Sequence, residues 1–155
     1  MPTIVIAHRV EAPARKVWDL MMGSIKTGKY EHGGLFEGLV KKGSIKGKGE
    51  GAIITSLMEQ DGVIAKIVER IDKFDDNDMF MSHRIIDCGP LPVTDFTVDI
   101  RITANGPDAC SYKFEMKYTP LAGPDEEVRQ MVVGGVQLLH ANLEKMFSPA
   151  KKHRN

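Results

Sequence analysis

Two stretches in the second half of the chain restrict its folding more than any other feature. In DFTVDIRIT, Phe96, Val98, Ile100 and Ile102 occupy alternate positions, and Thr97, Asp99 and Arg101 lie between them. Successive side chains of a strand point to opposite faces, so the spacing predicts one dry face and one wet face. SYKFEMKY repeats the pattern, with Tyr112, Phe114, Met116 and Tyr118 set against Lys113, Glu115 and Lys117. Such strands belong in an antiparallel sheet with one covered face.

Upstream, Thr3 to Val10 reads as a strand, and Pro13 to Met22 as a short one-sided helix around Val17, Trp18, Leu20 and Met21, ended by Gly23. Ser24 to Gly51 is rich in Gly and Lys, with only Tyr30, Leu35, Phe36, Leu39 and Val40 able to anchor it by burial. The runs Ala52 to Met58, Val63 to Phe74 and Met79 to Asp87 are separated by QDG and DDND, which suit reversals in a meander. Asp125 to Phe147 carries apolar groups at helical spacing behind the acidic opening Asp125, Glu126 and Glu127. This last helix, about 34 Å long at about 1.5 Å per residue, is the only long element available to cover the dry face. One helix cannot fill a wide concave sheet, so the fold predicts a residual cavity suited to an apolar ligand.

The 155 residues, 42% of them hydrophobic, suit one domain over 1–155, with 148–155 as a frayed tail. Lys plus Arg and Asp plus Glu both number 21, which argues against a nucleic acid partner. The apolar start is broken by His8 and Arg9, and no run reaches membrane-spanning length. Together with Cys88 and Cys110 read as reduced thiols, this predicts a cytoplasmic protein without membrane insertion, a monomer or homodimer.

The residues VEAPARKVWDLM, KGKGEG, IVERIDKFDDNDMFMSHRIIDCGPLPV and PDEEVRQMV resemble the helix-grip superfamily. That superfamily includes the birch-pollen allergen family, START lipid-transfer domains and the bacterial polyketide cyclase/dehydrase group, the last being nearest in look. The resemblance implies an α+β fold: a curved antiparallel sheet of about seven strands gripping a long C-terminal helix. It further implies two short helices after the first strand and an internal cavity for lipids, hormones, flavonoids or polyketides.

Alternation groups Ile67, Glu69 and Ile71 on one strand face, and Met81, His83 and Ile85 on one face of the next. A hairpin centred near Asp76-Asn77 makes partner numbers sum to about 152, which sets Glu69 opposite His83. A carboxylate beside an imidazole orients one ring nitrogen, an arrangement able to abstract a proton from an activated carbon. The alternatives are a buried polar pair that fixes register, or a reversed face with both groups solvated. Arg70 and Arg84, with Asp72 and Asp87, read as an exposed cross-strand ladder. Candidate ligand contacts are Tyr30 and His32 over the opening, with Ile67, Met81, Ile85, Phe96, Val98, Tyr112, Phe114, Met116, Gly135 and Leu139 around the cavity.

GKGEGA precedes strand-like rather than helical sequence and so lacks the context of a dinucleotide site. The five histidines are scattered, so no metal is expected, and no cofactor is implied. Three functions stay open: a carrier or sensor of a small hydrophobic or aromatic molecule; a cofactor-independent cyclase, dehydratase or isomerase using His83 and Glu69; and an interaction module presenting Lys41 to Lys48.

Overall fold

A computed structural model of the chain describes residues 2–31, 34–60, 62–121 and 125–147. The elements run β1 (Thr3–Val10), α1 (Ala14–Met21), α2 (Gly23–Thr27), β2 (Lys42–Lys46), β3 (Ile53–Gln60), β4 (Val63–Asp75), β5 (Phe80–Asp87), β6 (Val93–Ala104), β7 (Cys110–Pro120) and α3 (Asp125–Phe147). The strands form one seven-stranded antiparallel sheet in the order β1-β7-β6-β5-β4-β3-β2. Sequential hairpins build most of it, and β1 closes against β7 from the far end of the chain. The curved sheet grips α3, with two short helices after the first strand, which is the helix-grip arrangement.

The alternation in β6 and β7 is the reason for the layering. Phe96, Val98, Ile100, Ile102, Tyr112, Phe114, Met116 and Tyr118 are all buried on the α3 side. Their neighbours carry surface polar pairs, such as Ser82 Oγ donating to Asp99 at 2.7 Å. From α3, Val128, Val136, Leu139 and Leu143 pack onto this face. At its N-terminal end the Tyr118 hydroxyl donates to Asp125, joining the end of β7 to the start of the helix.

Gly23 does not stop a helix; it opens α2 directly after Met22, whose N–H still bonds to Trp18 O at 2.8 Å. The stop comes five residues later, at Gly28 with φ +76°, a left-handed conformation that glycine adopts without a Cβ penalty. The GKGEGA stretch is the turn from β2 to β3, and its Gly49 N–H donates to Ile25 O of α2. Trp18 is fully buried, with its ring stacked on Phe74 and its Nε1–H donating to Asp76 at 2.7 Å. Asp76 also meets Arg15 and Lys26, so the β4–β5 turn is tied to both short helices. Residue patterning alone places neither β2 nor α2 residue by residue. His32 and the 148–155 tail lie outside the described residues.

Candidate functional site

A cavity of about 930 Å³ lies between the concave sheet and α3. The sheet contributes Ile54, Ser56, Ile67, Glu69, Ile71, Met81, His83, Ile85, Phe96, Val98, Phe114 and Met116, among others. α1 and α2 add Met21, Met22 and Ile25; the segment after α2 adds Tyr30, Leu35, Phe36 and Leu39; and α3 adds Met131, Gly135, Leu138 and Leu139. Among the described residues, six methionines line it: Met21, Met22, Met58, Met81, Met116 and Met131. Thioether chains are unbranched and polarizable, so they follow an irregular or changing outline better than β-branched groups.

A buried polar side chain of α3 holds the segment over the cavity. Asn142 of α3 donates through Nδ2 to Leu35 O at 2.8 Å and to Glu37 O at 3.0 Å. Leu35 is itself fully buried, so the turn is anchored by an apolar side chain as well as by these hydrogen bonds. The opening lies between the turn, the end of β3 and α3, where the lining residues Glu59, Glu127, Gln130, Met131 and Leu138 are exposed or half-buried.

Inside, the polar groups form a band across β3, β4 and β5. Ser56 is buried on β3, Glu69 sits on β4, and His83 on β5 places Nδ1 against the Glu69 carboxylate. The side chains of His83 and Glu69 are only 11% and 19% exposed, which makes this a pocket pair rather than a solvated one. The approach is off hydrogen-bond alignment, and among the described residues Nδ1 has no hydrogen-bond partner. Tyr30 completes the band; burial above all pushes its phenol up from 10.0, opposed by a Ser56 hydrogen bond and reinforced by the Glu69 charge. Its ring covers Gly43 of β2 so closely that an added Cβ would lie 2.0 Å from a ring carbon.

The pair forms by a different register from the one expected. Glu69 is opposite Ile85, and His83 is opposite Ile71, so Glu69 and His83 are diagonal neighbours. The difference arises because residues 76–79 form the turn, with Met79 at φ +50°, and because the β4–β5 ladder shifts between Ile71 and Lys73. Face parity survives the shift, and a long carboxylate side chain spans the diagonal. The expected ladder is also rearranged. Arg70 and Arg84 stand opposite each other, Arg70 pairs along its own strand with Asp72 at 2.6 Å, and Arg84 reaches Asp95 on β6 at 3.9 Å.

Tyr30, Ile67, Glu69, Met81, His83, Ile85, Phe96, Val98, Phe114, Met116, Gly135 and Leu139 all line the cavity. Tyr112 does not. It shares the dry face, but its hydroxyl meets His140 Nδ1 at 2.8 Å, and His140 stacks on His8 with centroids 4.1 Å apart. These rings fill the space under the C-terminal half of α3, so the dry face extends beyond the cavity. Sequence reasoning missed Ser56, whose place between Thr55 and Leu57 carries no signal beyond parity, and Asn142, a polar residue at a buried helical position. Among the described residues, no group of three or more His, Cys, Asp or Glu side chains is placed to hold a metal ion. No helix among them is long and apolar enough to cross a membrane.

Residues 1–147 match the family described as polyketide cyclase / dehydrase and lipid transport. The chain belongs to that family. Solved structures share the fold of this polyketide cyclase/dehydrase family member. One is the protein XoxI from Bacillus cereus, at 18% identity and TM-score 0.78, with 99% of this chain and 100% of that chain covered. Norcoclaurine synthase from Thalictrum flavum, in complex with dopamine and hydroxybenzaldehyde, is similar at 20% identity and TM-score 0.72, with coverage of 99% and 90%. The ZhuI aromatase/cyclase from Streptomyces sp. R1128 is similar at 16% identity and TM-score 0.68, with coverage of 95% and 96%. No curated protein matches the chain in sequence.

Proposed function

We propose that the protein binds a small hydrophobic or aromatic molecule, lipid-, hormone- or polyketide-like, inside the cavity. The observation that carries this reading is an opening of about 930 Å³ in what is otherwise the core, lined by apolar side chains and crossed by one polar band. Pockets of roughly 300–1,000 Å³ with a few placed polar groups are the usual form of a small-molecule site. The apolar body of the ligand lies against Phe96, Val98, Phe114 and the methionines, and its polar end meets Glu69, His83, Tyr30 and Ser56. Native mass spectrometry of freshly purified protein, with extraction of any adduct, tests this directly. A co-purifying apolar or aromatic molecule is the expected result; protein that stays empty and takes up no apolar dye refutes it.

A second reading, a cofactor-independent cyclase, dehydratase or isomerase, is favoured by one specific observation: the buried Nδ1 of His83 against the Glu69 carboxylate within the cavity. In that reading the imidazole accepts a proton from an activated carbon of the bound ligand, and Glu69 stabilises the imidazolium that forms. The cavity contributes by holding a flexible intermediate in a folded conformation. His83→Ala separates the readings. A carrier keeps its ligand with altered affinity, whereas an acid–base enzyme loses turnover by roughly 10²-fold or more.

A further inference from the structure

Among the described residues that line the cavity, every charged side chain apart from the His83 imidazole is a carboxylate. The lining includes Glu59, Glu69 and Glu127 and, among the described residues, neither a lysine nor an arginine. Strand parity explains the asymmetry, because Lys66, Arg70, Arg84, Arg101, Lys113 and Lys117 occupy the outward positions of the strands whose inward residues line the cavity. At the opening, Lys41 is paired with Glu59 at 2.8 Å, and on α3 Arg129 is held by Asp125 at 3.6 Å. The partial positive charge of the α3 N-terminus is likewise offset by the acidic residues of its first turn, Asp125, Glu126 and Glu127. His83 supplies no net cation, since any imidazolium charge lies directly against the Glu69 carboxylate. With the carboxylate ionised, that pair sums to zero or to minus one.

We propose that the cavity selects ligands by charge: it accepts neutral and amine-bearing hydrophobic molecules, with the amine at Glu69, and rejects those ending in a carboxylate, sulfonate or phosphate. The inference rests on the ligand-binding reading and narrows it. A buried anion is costly unless paired, and no lysine or arginine among the described lining residues pairs it; an ammonium finds the mostly buried Glu69 carboxylate. The His83 and Glu69 side chains are mostly buried, so discrimination at this pair is screened by salt less than surface charge is. A fatty-acid carrier that pairs its ligand's carboxylate needs an inward-facing Arg or Lys, and none of the described residues lining this cavity is one.

The test uses three ligands of one shape on the full chain: 1-naphthylmethylamine, 1-naphthalenemethanol and 1-naphthoate, titrated by calorimetry near neutral pH at low and high salt. The expected result is that the amine and the alcohol both bind at least about tenfold more tightly than naphthoate, with the gap largely kept at high salt. Glu69→Gln should narrow the gap between amine and naphthoate several-fold. Glu127→Lys, at an exposed position tolerant of change, should narrow it less and in a salt-sensitive way. Naphthoate binding as tightly as the amine to the wild-type protein overturns the inference and leaves the cavity reading intact. Failure of all three to bind overturns the cavity reading itself, and this inference with it.

Discussion

Replacing Asn142 by alanine should loosen the turn over the cavity at a calculable cost. The Asn142 amide is buried and gives its two N–H donors to Leu35 O and Glu37 O, at 2.8 and 3.0 Å. Truncation removes both hydrogen bonds. The carbonyl of the buried Leu35 is stranded, whereas that of the more exposed Glu37 is reached by water. A typical net loss is about 1 kcal/mol for a replaceable hydrogen bond and about 1–3 kcal/mol for a stranded buried group, so the sum is about 2–4 kcal/mol. For a domain of this size, that corresponds to a fall in Tm of roughly 5–15 °C. Urea denaturation followed by Trp18 fluorescence reads the change, since this is the only tryptophan in the chain. Asn142→Asp provides the control, because it keeps the volume but turns donors into acceptors facing two carbonyl oxygens; it should cost at least as much as alanine. A loss below about 0.5 kcal/mol in both variants would mean that these bonds do not anchor the turn. Affinity for an apolar probe should fall in step, because Leu35, Phe36 and Leu39 of the same turn line the cavity.

His140 makes stability depend on pH. Burial first, and then the stacked His8, hold its pKa below the ordinary 6.5, against the opposing pull of Glu144. The folded state therefore binds fewer protons than the unfolded one, so its contribution is complete above about pH 6.5 and is lost as pH falls through the folded value. Thermal melts from about pH 7.5 to about 5 should show this decline, flattened in His140→Gln; equal slopes would exclude the histidine as the cause. Asp76→Ala should strand the indole N–H of the fully buried Trp18 and cost about 1–2 kcal/mol, with little of it from the exposed Arg15 and Lys26 pairs. A double-mutant cycle with Trp18→Phe measures the coupling, and strict additivity would refute it. Gly43→Ala should push the Tyr30 ring off β2 and weaken apolar-probe binding, whereas unchanged affinity would show that the ring position is immaterial.

The strands were legible because their side chains alternate between a wet and a dry environment, and β6 and β7 carry that contrast at nearly every position. α3 was legible from its apolar spacing and acidic start. β2 was not, since KGSIK is a short edge strand with little apolar content, held by its pairing to β3 rather than by its own sequence. The shared face of Glu69 and His83 followed from parity, whereas their directly opposite placement followed from a hairpin register that differs from the one formed. Their diagonal relation depends on the ladder shift near Ile71 and the four-residue turn, and both are set by three-dimensional packing. Tyr112 shows the limit of parity: it identifies the dry face but not how much of that face is filled by His8 and His140.

A cavity inside a core is packing that the folded chain goes without, so whatever occupies it serves as a removable piece of the interior. At a free concentration about a hundred times its Kd, such an occupant adds about 2.7 kcal/mol of stability. The melting temperature is therefore an occupancy gauge, able to rank candidate compounds whether the chain turns its ligand over or only carries it. On the proposed ligand-binding reading, the same linkage makes the empty chain the more easily unfolded and proteolysed form, so susceptibility to protease falls as the cavity fills.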